Sequence, residues 1–341
     1  MASKTPSYWY EKTPSSMAKA LLPLSVLFHF GGKLRAMRGS PSKANAPVIC
    51  VGNLTAGGAG KTPVSKAILK LIGKDNGFNS PHFITRGYGR NSRDAIHLSP
   101  DMLSDVDYVE VGDEVLLLLK DAPVSIGVDR YAAARSAIGR GADLLIMDDG
   151  LQNPSLHKDV KLCVVDGTAG FGNRMVIPSG PLRTALQDGL EECDAVIVVG
   201  DDNYGVEKLV GSVCPVFKGR FEPVSPMPDK SSKYLAFAGL GLPDKFRRTL
   251  TDLGYDLVGF ESFADHYPYT ETDIQGLQAR AQAEDASLIT TEKDAIRIRD
   301  AWDIPVEVLK IELVWDDPDA VKKFLLDRLK DVHVEDTEIQ I

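Results

Sequence analysis

The stretch VGNLTAGGAGKTP, Val51 to Pro63, has the residue types that hold a polyphosphate, in the order that such binding needs. Gly57, Gly58 and Gly60 let backbone N–H groups converge on phosphate oxygens, and Lys61 can reach the β and γ phosphates of ATP. The Thr62 hydroxyl can ligate Mg2+, and Pro63 suits the first turn of a helix. Thr55 stands where the usual G-x-x-x-x-G-K-[ST] pattern has its first glycine, so the cradle is the compact run Thr55, Ala56, Gly57, Gly58, Ala59, Gly60, Lys61 and Thr62.

Such a loop works with an acidic residue at the end of a neighbouring strand. ADLLIMDDG ends an apolar run with Asp148 and Asp149, which could position the metal or cap the next turn; beside a phosphate loop, metal positioning is the better reading. A kinase also needs a base for the acceptor hydroxyl. VGDEVLLL offers Asp113 and Glu114 at a helix start, where carboxylates also cap, and these residues alone do not choose between the two roles. In TEKD, Thr291 to Asp294, lysine and aspartate are adjacent, which argues against the N-K-x-D run of a guanine-specific switch.

The elements that must place these groups alternate. PVICVG, HFIT, PVSIG, ADLLIMDDG, VKLCVVDG and DAVIVVG are short buried-strand patterns separated by helical ones, so the fold class is α/β, a P-loop type, mostly parallel sheet with helices on both faces. After Pro215 a proline-rich polar passage precedes a second strand and helix alternation, a smaller α/β domain. The expected division is 1–46, an N-terminal membrane-associating segment; 47–220, the P-loop domain; 221–232, a linker; 233–330, the smaller domain; and 331–341, a frayed acidic tail.

A net charge of -9 argues against nucleic acid as partner. Residues 1–46 carry seven Lys or Arg against Glu11 alone, a net +6 that leaves -15 on the rest. The apolar run ALLPLSVLFHF is too short to span a bilayer, but Tyr8, Trp9 and Tyr10 precede it and Lys33, Arg35 and Arg38 follow it. Such a segment can lie on an anionic membrane surface or pack on its own core. Deleting residues 1–38 is expected to release the chain from bilayers with less effect on ATP affinity. Cys50, Cys163, Cys193 and Cys214 are scattered, two of them in apolar strand patterns, and read as buried thiols.

Taken together, SYWYEK, VGNLTAGGAGKTP, TRGYGR, GDE, DDGLQN, IPSGPLR, FADHYPYT and TTEKDAIR resemble the lipid A 4'-kinase family, tetraacyldisaccharide 4'-kinase, in family order over nearly the whole chain. Leu151 and Ser179 depart from it, standing where many members have an aromatic residue and an alanine, and Tyr267 stands where a second histidine is frequent. The resemblance implies ATP-dependent phosphorylation of the 4'-hydroxyl of a tetraacylated glucosamine disaccharide, at the cytoplasmic face of the bacterial inner membrane, with the chain peripheral there. It also implies Asp113 as catalytic base, His266 as its partner, and Arg183, Arg86 and Tyr88 around the phosphates and the acceptor sugar. Glu292, Lys293 and Asp294 could contact the sugar or brace the second domain, and bracing is the better reading.

The competing readings are a P-loop ATPase or GTPase acting in assembly or metal insertion, and a membrane-binding module with a dead site. GGAGKT resembles the loop of dimeric ATPases that begin it with a lysine donated in trans. Ala56 stands in that lysine's place, so a monomer is expected.

Overall fold

A computed structural model of the chain describes residues 6–11, 13–36, 40–73, 77–88, 90, 95–298 and 302–338, with the backbone alone for 35–36 and 331–338. Among the cations expected of the N-terminal segment, Lys4, Lys12, Arg35 and Arg38 therefore lie outside the described side chains.

Nine strands form the larger sheet: β1 Val48–Gly52, β2 Pro81–Thr85, β3 Ile96–Leu98, β4 Val124–Ile126, β5 Leu144–Asp148, β6 Val160–Asp166, β7 Ala195–Val199, β8 Val216–Pro223 and, far along the chain, β13 Ile311–Trp315. The order is β13-β8-β7-β6-β1-β5-β2-β4-β3. The pairs from β8 to β4 are parallel, and β3 is antiparallel to β4. All five residues of β1, β2, β5 and β7 are buried, as strands covered on both faces must be. Val48 and Cys50 of β1, with Leu145 and Met147 of β5, pack against Ala133, Ala134 and Ala137 of the helix Arg130–Ile138. The helix Lys61–Ile72 packs on β1 and β5. Strand order reverses at β1, so its carboxyl end is a topological switch point, where open α/β sheets bind ligands.

The smaller sheet has β9 Lys233–Ala238, β10 Asp256–Ser262, β11 Ser287–Thr291 and β12 Val306–Leu309, all parallel, in the order β10-β9-β11-β12. Alternate residues of β9 supply two cores. Tyr234, Ala236 and Ala238 meet Phe246 and Leu250 of the helix Pro243–Asp252, while Leu235 and Phe237 meet Ile274, Leu277 and Ala281 of the helix Glu271–Ala283. Thr270 and Asp273 close a capping box at the start of the second helix.

The chain divides into two compact units, and the boundaries differ from those expected. The larger unit takes in Pro6–Phe221 and Leu313–Ile341, the smaller Glu222–Glu312. The N-terminal segment is thus part of the larger unit. The last strand and the helix Pro318–Glu338 also return to the larger unit, where Val321, Leu325 and Leu329 are buried and the helix contacts β6. Residues 331–338 continue that helix where a frayed tail was expected, since no glycine or proline interrupts the run from Val321.

Candidate active site

The phosphate-type loop follows β1 and enters the helix Lys61–Ile72 through Gly60, whose φ of 82° is left-handed. A Cβ there would also lie 2.5 Å from Phe221 Cζ, so both conformation and space require glycine. Asn53, wholly buried, orders the loop from below: its Nδ2 donates to Gly57 O at 3.2 Å and to Thr55 Oγ1 at 3.4 Å, and Gln152 Nε2 donates to Asn53 O at 2.9 Å. Lys61 Nζ lies 3.4 Å from Asn53 Oδ1 and 3.7 Å from Asp149 Oδ1, so the lysine already points along the loop's mouth.

Beneath the loop, Thr62 Oγ1 and Ser65 Oγ each donate to one oxygen of Asp148, both at 2.9 Å. Asp148 is 1% exposed. Burial and the nearby charge of Glu114 push its pKa up to about 7, against the opposing pull of Lys61. A carboxylate held so against its own ionisation favours a cation, and its hard oxygen donors with the Thr62 hydroxyl fit Mg2+. Asp149 follows in the left-handed region, φ 56°, with its buried Oδ1 making no hydrogen bond. No cluster of three or more His, Cys, Asp or Glu able to cage a metal occurs among the described residues.

Asp113 is buried, in the first turn of the helix Asp113–Leu119, and its Oδ1 accepts from Glu114 N at 2.9 Å. The N-cap itself is Gly112, φ 97°, where a Cβ would lie 2.5 Å from Tyr88 O. TRGYGR and GDE, apart in sequence, thus meet at this glycine. Arg86 and Arg90 from the same loop act on Arg130, which burial and these like charges push down to about 10 while Asp149 opposes the shift. Arg130 is 3% exposed, donates to Gly127 O and to Val128 O, and its Nε has no partner.

Arg183 comes from the run IPSGPLR, which lies along the phosphate loop. Arg183 N donates to Leu54 O at 2.8 Å, Leu182 bridges to Thr55, and Ala56 N donates to Pro181 O at 2.7 Å. The Ala56 amide is thus engaged within the protein, which leaves the amides from Gly57 onward to face a phosphate. The N-terminal segment closes over the other side of this run. Tyr8 Oη and Trp9 Nε1 both donate to Pro178 O, at 3.1 and 3.0 Å. Ser25 Oγ accepts from Ser179 N at 3.1 Å and sits 2.7 Å from Val176 O and 2.8 Å from Ser179 Oγ.

In the smaller unit, His266 has φ 56° and its N donates to Gly239 O. Its Nε2 lies 3.3 Å from Lys293 Nζ. Asp294, wholly buried, accepts from Gly239 N, Tyr269 Oη, Thr291 Oγ1 and Arg297, itself 1% exposed. Asp294 is therefore a structural hub, whereas Lys293 faces the histidine. Asp113 and His266 belong to different units.

The sequence reading missed Asn53, Ser65, Arg130 and residues 173–176 as parts of the site. Asn53 stood inside a quoted motif. Arg130 carried no signal, being one arginine at a helix start.

Comparison with known proteins gives the family. The model of the family LpxK, tetraacyldisaccharide-1-P 4'-kinase, matches residues 17–330. A tetraacyldisaccharide 4'-kinase of Rhodospirillum centenum is 41% identical over 97% of this chain and 98% of its own, and one of Gluconobacter oxydans 39% identical over 95% and 98%. A crystal structure of LpxK from Aquifex aeolicus in complex with ATP superposes with a TM-score of 0.75 at 26% identity, covering 92% of this chain and 99% of that one. With the nucleotide loop, its buried aspartate and the motif order all in place, the chain belongs to the tetraacyldisaccharide-1-P 4'-kinase family.

Proposed function

We propose that the chain transfers the γ-phosphoryl group of ATP to the 4'-hydroxyl of a tetraacylated glucosamine disaccharide 1-phosphate. The observation that carries this is Thr62 and Ser65 clamping buried Asp148 beneath a glycine loop whose lysine, Lys61, points along the mouth. Phosphoryl transfer is mostly positioning and charge stabilisation, and this chain's own groups suit both. Backbone N–H groups from Gly57 to Thr62 and Lys61 hold the β and γ phosphates; Arg183, beside the loop, and Arg86 with Tyr88 are donors toward the transferring group and the sugar. Thr62 and Asp148, with Asp149 and Glu114 near, would hold Mg2+, which supplies charge neutralisation on the phosphates. Asp113 takes the proton of the acceptor hydroxyl, and the family resemblance assigns His266 as the residue that assists it.

The N-terminal segment supports peripheral attachment to the cytoplasmic face of the inner membrane. Along its helices Ser16–Ala20 and Leu22–Ala36, Ala18 and Ser25 are buried while Leu24, Val26, Leu27, Phe28 and Phe30 are exposed, Leu27 by 68%. The apolar face points outward, the reverse of a helix folded onto a core, and a lipid surface is the solvent that suits it. No helix among the described residues is long and apolar enough to cross a membrane. Ala56 in place of a trans lysine supports action by a single chain.

The test incubates the purified chain with labelled ATP, Mg2+ and the acylated disaccharide 1-phosphate in detergent. Label in the lipid, lost in Lys61→Ala and Thr62→Ala, is the expected result. Hydrolysis of ATP with no labelled lipid counts against the reading and favours an ATPase.

A further inference from the structure

The N-terminal segment does more in the structure than present an apolar face. Its polar groups converge on a single run of backbone, residues 176–179. Tyr8 and Trp9 donate to Pro178 O, Ser25 engages Val176 O and Ser179 N and Oγ, and Asn173 Nδ2 links Tyr8 O to Ser179 O at 3.2 and 2.9 Å. Asn173 N donates in turn to Trp9 O at 2.7 Å. The same run is bonded on its far side to the nucleotide loop. Leu182, wholly buried, bridges to Val176 and to Thr55, and its carbonyl accepts from Ile177 N; Pro181 O accepts from Ala56 N, and Leu54 O accepts from Arg183 N. A second route is shorter: Tyr10 Oη lies 3.9 Å from where a Cβ on Gly57 would stand, and burial raises the Tyr10 pKa.

We propose that Tyr8, Trp9 and Ser25 are positioning residues for ATP: through Val176–Ser179 they hold the Leu182–Arg183 backbone that braces Leu54–Ala56. A membrane anchor alone would need none of these bonds. The exposed apolar side chains Leu27 and Phe30 lie about 140–160° round the helix from Ser25, so the proposed lipid contact and the Ser25 brace fall on opposite sides of it. A glycine-rich loop loses much chain entropy on binding phosphate, and a loop held beforehand in its bound form loses less. The inference rests on reading this loop as the ATP site.

The experiment measures MgATP binding by calorimetry on the full-length chain in detergent, without lipid substrate, for the wild type and for the double variant Trp9→Phe, Ser25→Ala. Each lost bond is worth about 2- to 12-fold, so the double variant should bind MgATP about 4- to 140-fold more weakly. Its KM for ATP should rise in parallel, its KM for micellar lipid should stay within about twofold, and Ser25→Thr should bind nearly as the wild type does. If the double variant fails to fold, Tyr8→Phe and Ser25→Ala are measured singly against the same criterion. An unchanged ATP Kd together with a raised KM for lipid overturns the proposal and leaves the segment as an anchor. A wild type that binds MgATP but labels no lipid overturns the kinase assignment and leaves this proposal standing, whereas a wild type that binds no MgATP overturns both.

Discussion

Asp113 and His266 are the residues proposed to act on the acceptor hydroxyl, and a double-mutant cycle tests whether they act together. Asp113→Ala should lower kcat by about 10²–10⁴ with a smaller effect on ATP binding, since a base contributes in the transition state. His266→Ala should cost less, and the two losses together should fall short of their product; full multiplicativity would mean that they work separately. Gly60 gives a check on the loop itself. Gly60→Ala puts a Cβ in a left-handed residue, 2.5 Å from Phe221 Cζ. It should cost about 1–3 kcal/mol of stability in a thermal or urea melt and weaken MgATP binding; a variant as stable as the wild type would show that the loop has another low-energy form. Much of this scale was legible in sequence, because a phosphate loop, a strand-terminal aspartate pair and a helix-start Asp-Glu are local patterns. What was not legible is long-range: the Ala56 amide meets Pro181, and Arg130 joins Arg86 and Arg90 only once β2 and β4 lie side by side.

At the scale of elements, two buried groups decide how the units hold. Asp294 ties β9, β11 and the helix Glu292–Ala295 together through Gly239, Thr291 and Arg297. Asp294→Ala strands Arg297 without its carboxylate and should destabilise the smaller unit by about 3–5 kcal/mol, read as early loss of β-sheet signal in urea. Normal unfolding would mean that Arg297 finds other acceptors. The brace expected of TTEKDAIR is thus Asp294, and periodicity could not single it out from its neighbours. In the larger unit, His82 of β2 is buried, its ring 5.4 Å from that of His97 on β3. Burial first, then His97 and Arg140, push its pKa down to about 4 against the pull of Asp143. A folded value below the unfolded one, about 6.5, means that the unfolded chain binds more protons between them, so stability is full above pH 6.5 and falls as pH drops toward 4. The loss is at most about 3 kcal/mol, and His82→Gln should flatten it; equal acid sensitivity of the two proteins would place the titration elsewhere.

For the whole molecule, sequence left the N-terminal segment divided between membrane and core; in the structure one side of it packs on the chain and an apolar side is exposed, which is the side proposed to meet lipid. A run of mixed residues broken by Pro23 and His29 does not announce which face turns inward. Burial of Ala18 and Ser25, with Lys33 Nζ 2.7 Å and His29 Nε2 3.4 Å from Asp188, shows that the polar stripe docks and the apolar one stays out. This changes what a deletion reports. Removing residues 1–38 takes away lipid contact and loop bracing together, so ATP affinity should fall with it, contrary to the expectation drawn from sequence. Substitutions on the outer face separate the two. Leu27→Glu with Phe30→Glu leaves the polar contacts of Tyr8, Trp9 and Ser25 in place and removes two exposed apolar side chains, each worth about 1.5–3 kcal/mol when fully buried in lipid. Co-sedimentation with anionic vesicles should drop by more than tenfold in this variant while its MgATP Kd stays at the wild-type value. In the wild type, raised salt should weaken sedimentation only in part, because salt screens the cations of the segment and leaves apolar burial untouched. Sedimentation of the double variant equal to that of the wild type would show that the membrane contact lies on another surface of the chain.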